Sequence, residues 1–366
     1  MHRFLALCVL ITLAACRFGE TSPSEPPAAT SDIAQDETLV FFRTAGWLDE
    51  DAGEWHLPVH GWVYEQQDSS VRKALFEAVL EEKFDLHVDE GNEANFSERL
   101  NLLIADNERG KRIVIEMAGR VHALPVSSEN GHFEAILRVP EADIAGFVEA
   151  GRLPYSAVTR ESEGRSFDGE IRLVSPVGLS IVSDIDDTVK ISNVTDHKQL
   201  LESAFLLDFA AAPGMADLYS HWAAQDASFH FVSSSPWQLY TPLQEFLDGS
   251  GFPWATFNLK AVRFRDETLF DLFKKGTETK PVAIKAILDR YPGRTFILVG
   301  DSGEQDPEVY AALLGEYPDQ VAEVYIRNIT QATTDDERFA THFSGIDPKR
   351  WHLFENTGQL YAHEPQ

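Results

Sequence analysis

From Gly178 onward the chain alternates apolar runs with amphipathic stretches, and three of the apolar runs end in a polar cluster. "LSIVS" leads into Asp184-Ile185-Asp186-Asp187-Thr188, "FHFV" into Ser233-Ser234-Ser235-Pro236-Trp237, and "FILVG" into Asp301-Ser302-Gly303-Glu304-Gln305-Asp306. Between them Met215, Leu218, Tyr219 and Trp222 recur at helical spacing, and Leu239, Leu243, Phe246 and Leu247 share one face of a helix opened by Pro236. "VAEVYI" is a further strand, and Pro307 starts a helix for which Asp306 is a plausible N-cap. Strand and helix in regular alternation predict the α/β class: a Rossmann-like parallel sheet with flanking helices, binding its ligands at the carboxyl ends of the strands. In such a sheet the three polar tips lie side by side.

The first tip poses an electrostatic problem. Two carboxylates about 4 Å apart repel by roughly 4 kcal/mol at an effective dielectric near 20. A solvated acidic turn is one solution, and a bound cation is the other. Acids from two strand ends, converging beside a hydroxyl from a third, make an oxygen-rich site for a hard cation, most simply Mg²⁺.

Composition narrows the partners. Lys+Arg is 31 against Asp+Glu 59, a formal net charge of -28, which argues against binding a nucleic-acid backbone. A small anionic substrate is not excluded, because screening leaves local charges and any metal in control of the site. With 366 residues, 43% of them hydrophobic, there is material for two domains with real cores.

The chain starts "MHRFLALCVLITLAAC": a basic beginning and an apolar core too short to cross a bilayer, so residues 1–15 read as a secretory signal. Leu13-Ala14-Ala15-Cys16 resembles the lipobox of bacterial lipoproteins, which implies an acylated Cys16 as the mature N-terminus and attachment to a membrane. In that pattern Arg17 after the cysteine favours the outer membrane, facing the periplasm. Both cysteines then leave disulfide chemistry. Residues 16–38, rich in Ser, Pro and acids, read as a disordered tether with an r.m.s. reach of about 25 Å.

Residues 39–175 read as a mainly β, sandwich-like domain. "WHLPVHGWVY" alternates around Trp55, Leu57 and Val59, "RIVIEMAGRV" is another strand, and Asn130-Gly131 signals a hairpin. One helix carries Val71, Leu75 and Val79 on a stripe that predicts its buried side. His56 and His60 share one face of a strand, and without a third ligand they read as surface residues.

Taken in order, DIDDT, the hydroxyl-ended strand, a lysine before the last acidic motif, and GDSGEQD resemble the haloacid-dehalogenase-like phosphohydrolases. More narrowly, "SDIDDTVK", "FVSSSPWQLY" and "GDSGEQDPEVY" with "YIRN" resemble the catalytic domain of the phosphatidate phosphatases of the fungal actin-patch type, over roughly residues 176–330. The resemblance implies a phosphatase domain over residues 176–366 and a Mg²⁺-dependent reaction through an aspartyl-phosphate. Asp184 becomes the nucleophile and Asp186 the general acid and base, kept protonated part of the time. Mg²⁺ falls to Asp184, the backbone carbonyl of Asp186, and Asp301, with Asp306 as a ligand through water or as an orienter. Ser233 binds a phosphoryl oxygen, with Ser234 and Ser235 as rivals. Lys280 offsets phosphoryl charge, and Thr188 tightens the loop or contacts phosphate. Asp187 is left to loop structure. "GFPWATFNLKAVRFRDETLFDLFKKGTET" departs from the family pattern, with Thr279-Lys280 where the family has a His-Lys pair, which leaves the substrate-facing cap open. Phosphatidate is the first substrate the resemblance implies. Trp237 and Trp254 could meet a lipid surface or belong to the core. A phosphatase of soluble monoesters is the second reading, and a lipoprotein binding module with an inactive hydrolase half is the third. Protein partners are not legible.

Overall fold

The computed structural model describes residues 30–67, 69–161, 163–261 and 279–361. The signal-like segment, Cys16, Lys274, Lys275 and most of the unmatched cap segment lie outside the described residues.

The amino-terminal half is built from β1 (Glu37–Phe42), β2 (Thr44–Asp49), β3 (Glu54–Glu65), α1 (Ser70–Phe84), α2 (Glu93–Leu103), β4 (Asp106–Asn107), β5 (Val114–Met117), β6 (Arg120–Ala123), β7 (His132–Pro140), α3 (Glu141–Ile144), β8 (Arg152–Ala157) and β9 (Asp168–Val174). The sandwich expected from the alternation takes the form of one connected nine-stranded sheet in the order β1-β3-β2-β9-β8-β5-β6, forked at β3, which also pairs with β4 and β7. Period-two patterning points Trp55, Leu57 and Val59 into a core shared with Ile115, Phe133 and Ile171. That core begins earlier than the tether's composition suggested. Ser31 donates to the Val114 carbonyl at 2.9 Å and Ile33 is buried, so packing starts inside residues 16–38.

In α1 the expected stripe is wrong by one residue. Val71 and Leu75 are 77% and 58% exposed, whereas Phe76 and Leu80 are buried. Phe76 sets the face by meeting Phe96 of α2 and Phe205 of the second half, centroids 5.8 and 5.2 Å away.

The second half comprises β10 (Gly178–Ser183), α4 (His197–Phe205), α5 (Met215–Ala223), β11 (Ser228–Pro236), α6 (Tyr240–Gly249), β12 (Ala255–Lys260), α7 (Thr279–Arg290), β13 (Arg294–Asp301), α8 (Asp306–Glu316), β14 (Val321–Arg327), α9 (Glu337–His342) and β15 (Trp351–Phe354). Its six strands run in the order β12-β11-β10-β13-β14-β15, every neighbouring pair parallel. The expected α/β sheet is present. Met215, Leu218, Tyr219 and Trp222 of α5 are all buried against it.

The halves lock together through side chains. Arg99 of α2, 4% exposed, donates through Nη1 to the carbonyls of Leu207 at 2.7 Å, Ala204 at 3.2 Å and Ser203 at 3.4 Å, at the end of α4. Trp237 is buried and packs on Phe42 and His60, centroids 4.3 and 4.7 Å away. Its place is the core, and the idea that it meets lipid falls. His60 is no surface residue either: its Nε2 lies 3.1 Å from His132 Nδ1.

Candidate active site

In the strand order the chain steps from β10 outward to β11 and β12 on one side, and to β13 and beyond on the other. Ligand crevices open where the order reverses, beyond the carboxyl end of the central strand. Asp184 stands there, 1% exposed, its backbone N–H on the Val299 carbonyl of β13 at 2.9 Å. Lys280 Nζ, from the first turn of α7, donates to Asp184 Oδ1 at 2.9 Å, and Thr188 Oγ donates to Oδ2 at 3.1 Å. Thr188 therefore orients Asp184.

Asp187 holds the loop. It adopts φ +53°, a left-handed conformation that Asp tolerates better than most residues. Its carboxylate accepts the backbone N–H groups of Ser192, Asn193 and Val194 at 2.8, 2.9 and 2.6 Å. Arg327, at the tip of β14, donates to its carbonyl at 2.6 Å.

Asp301 and Asp306 are fully buried. Asp301 Oδ1 accepts from the N–H of Gly303 at 2.5 Å and of Glu304 at 3.1 Å, while its Oδ2 is buried without a hydrogen-bond partner among the described residues. Asp306 is the first residue of α8 and not its cap, a position held by Gln305. Its carboxylate turns inward instead, accepting the Asp301 N–H at 3.2 Å and pairing with Lys280. Gly300 makes this approach possible, since a Cβ there would lie 2.2 Å from Asp306 Oδ2.

Oxygens of Asp184, Asp301 and Asp306 lie within 4.8 Å of one another. Burial first, then the neighbouring acids, push the Asp184 and Asp301 carboxyls well above the usual range, with Lys280 pulling the other way. Burial works against the Lys280 ammonium, yet Asp184 and Asp306 hold its pKa well above the usual lysine value. Among the described residues one lysine serves these three acids, with Arg327 acting on Asp301 from further off, which leaves the cluster short of positive charge. The orphaned Asp301 oxygen and the three-carboxylate donor set fit a hard divalent cation.

Asp186 does not join that cluster. Its Oδ1 meets Lys190 Nζ at 2.8 Å and the Ser192 hydroxyl at 2.7 Å; its Oδ2 accepts from Ser233 at 3.2 Å and Ser235 at 2.9 Å. Burial would raise its pKa, but the charge and bond of Lys190 and the hydroxyls of Ser192 and Ser235 outweigh it and hold the carboxyl at about 2. The expected partly protonated Asp186 is thus not what this geometry favours, and a metal contact from that residue would fall to its backbone carbonyl. Ser233 also accepts the Ser235 N–H at 3.0 Å, whereas Ser234 makes no bond to Asp186. Lys190 and Ser192 were missed from sequence. The signal was there: Lys190 follows Asp186 by four residues, and a bridge between their backbones returns the chain to it.

Residues 179–328 match the model of the phosphatidate phosphatase APP1 catalytic domain. This stretch of the chain is similar to that family's catalytic domain. Phosphatidate phosphatase APP1 of Saccharomyces cerevisiae is 34% identical over 167 residues, 44% of this chain and 28% of the relative. An uncharacterized protein of Schizosaccharomyces pombe is 27% identical over 168 residues, 45% of this chain and 27% of the relative. The chain therefore matches less than a third of the length of these curated relatives. The APP1-type stretch includes Asp184, Asp186, Lys190, Ser233, Lys280, Asp301, Asp306 and Arg327, and leaves the β half outside.

Proposed function

We propose that this protein is a Mg²⁺-dependent phosphatase acting through an aspartyl-phosphate on Asp184. The observation that carries the reading is a buried Asp184 held by Thr188 and Lys280, next to a buried Asp301 oxygen with no partner among the described residues. Asp184 Oδ attacks phosphorus as the ester P–O bond breaks, and Asp186 gives its proton to the leaving oxygen. Water then attacks phosphorus, Asp186 takes the proton, and the Asp184 O–P bond breaks to release phosphate. Lys280 offsets phosphoryl charge, and Ser233 donates to a phosphoryl oxygen. Asp184, Asp301 and Asp306, with the Asp186 carbonyl, would hold a Mg²⁺, which would supply further neutralisation of that charge. As found, Asp186 is set for the second displacement. The negative charge of a phosphoryl group bound at Ser233, which donates to the same Oδ2, opposes the hold of Lys190 on Asp186 and moves it toward the protonated form the first displacement needs.

Phosphatidate, dephosphorylated to diacylglycerol, is the substrate this reading favours, supported by the name of the yeast relative. Attachment to a membrane of the cell envelope through acylated Cys16 belongs to the same proposal, since it confines the site near a lipid surface. Phosphate release from phosphatidate in mixed micelles, compared with glycerol 3-phosphate and a nucleotide at equal Mg²⁺, tests the substrate. Phosphatidate should lead in kcat/KM. Equal or faster turnover of the soluble esters would leave a general phosphatase. Cys16→Ser should abolish lipid modification and release the protein from membranes on fractionation; a variant still fixed after salt washing contradicts the anchor.

A further inference from the structure

Edge strand β12 alternates. Ala255, Phe257 and Leu259 enter the core shared with Phe231 and Tyr240, so Thr256, Asn258 and Lys260 face the other way. The inner face of a covered parallel sheet is normally apolar; this row is not. It borders a cleft of about 620 Å³ between the two halves, within the roughly 300–1,000 Å³ of small-molecule sites. Ser233 and Lys280 stand at the catalytic end, and His60 and Ile136 of the β half form the opposite wall.

The donors along the row are short of acceptors. Lys260 lies beside Pro236 in the β11–β12 register, next to the serine loop, and among the described residues neither it nor Asn258 has a side-chain hydrogen bond. Deeper in, His230 is 2% exposed; its Nδ1 meets Thr256 Oγ at 2.8 Å, and its Nε2, on the cleft wall, is buried without a partner among the described residues. A buried polar atom left unpaired costs free energy unless a ligand or water satisfies it.

We propose that this cleft is the leaving-group subsite, and that Asn258 and Lys260 recognise hydroxyl or ester oxygens of the leaving group adjoining the phosphoryl ester. The proposal rests on the hydrolase reading for the position of the phosphoryl group. Oxygens of this kind are common to a free glycerol phosphate and to an acylated one. Specificity then comes from β12 with a wall from the β half, while the acids and Lys280 act on any phosphoryl group.

Matched ligands test it. Glycerol 3-phosphate and propyl phosphate differ by two hydroxyls; ester-linked and ether-linked phosphatidate differ by two carbonyls. Wild type should prefer the oxygen-bearing member of at least one pair by about tenfold or more in kcat/KM, the value of one or two hydrogen bonds. The pair showing the preference identifies a soluble or a lipid source. Asn258→Leu and Lys260→Met should each bring that ratio toward one, and Lys260→Arg should restore it, with melting curves confirming that each variant folds. No wild-type preference in either pair, or a preference the substitutions leave intact, overturns the subsite. Calorimetric binding of the soluble pair and competition by the lipid pair separate the two readings. A wild type that hydrolyses no ester defeats the hydrolase reading, and the subsite then stands or falls on whether Asn258→Leu erases a binding preference.

Discussion

Asp184 and Asp186 lie two residues apart on one loop, and the surroundings of the two carboxylates differ in charge. Asp184 shares the single Lys280 with Asp306, beside the orphaned Asp301 oxygen. Asp186 has Lys190 to itself and three hydroxyls as well. The first environment is short of positive charge among the described residues; the second is balanced. On the proposed function, two carboxylates of identical chemistry take different work from their partners, one with a cation and a phosphoryl group, the other with a proton.

The largest expected effect comes from Asp184→Asn, which on the proposed mechanism removes the nucleophile and a ligand together and should lower kcat on the order of 10⁴-fold. Near-wild-type turnover by this variant would break the comparison outright. Asp186→Asn should cost on the order of 10²- to 10³-fold by removing proton transfer while leaving the acid cluster intact. Fluoroberyllate, a mimic of the aspartyl-phosphate, should therefore raise the melting temperature of Asp186→Asn and leave that of Asp184→Asn unchanged.

Lys190→Met sharpens the contrast. It should lower kcat about tenfold by releasing Asp186 from its place. Because the folded pKa of Asp186 is depressed from 3.8 to about 2, its contribution of roughly 2 kcal/mol is present above pH 4 and lost as pH falls toward 2. The variant lacks that contribution, so the gap between the two melting temperatures should close across this window. A gap that persists to pH 2 would place the role of Lys190 elsewhere.

Asp184 and Asp301 predict the opposite sign. Their folded pKa values are raised, so stability is lost as pH rises through and above the usual carboxylate range. Mg²⁺ should offset this loss, by about 2.7 kcal/mol at a hundred times its Kd. The gain in melting temperature over a chelated sample should grow from pH 5 to pH 8. A gain independent of pH would argue against binding at these acids.

What was legible in the sequence was local. Each strand end carries its polar cluster within a few residues, so the α/β sheet and Asp184, Asp301 and Lys280 could be read in order along the chain. Interactions made by folding back were not. His60 and His132 are 72 residues apart and meet only because β3 pairs with β7. Asp306 carried the signature of a cap, but the tight passage beside Gly300 turns it inward. The stripe on α1 failed because periodicity marks a helix without fixing which side meets a neighbour, and aromatic residues of two other helices made that choice.

Arg99 gives the molecule a mechanical property. Its guanidinium, from the β half, closes carbonyls at the end of α4 and lies 3.9 Å over the ring of Phe209. Pulling the halves apart would strand those carbonyls and an arginine whose pKa burial has already lowered to about 10. The break in sequence rhythm near residue 175 is therefore no line of weakness. A protease cutting there would leave two fragments still joined by these contacts.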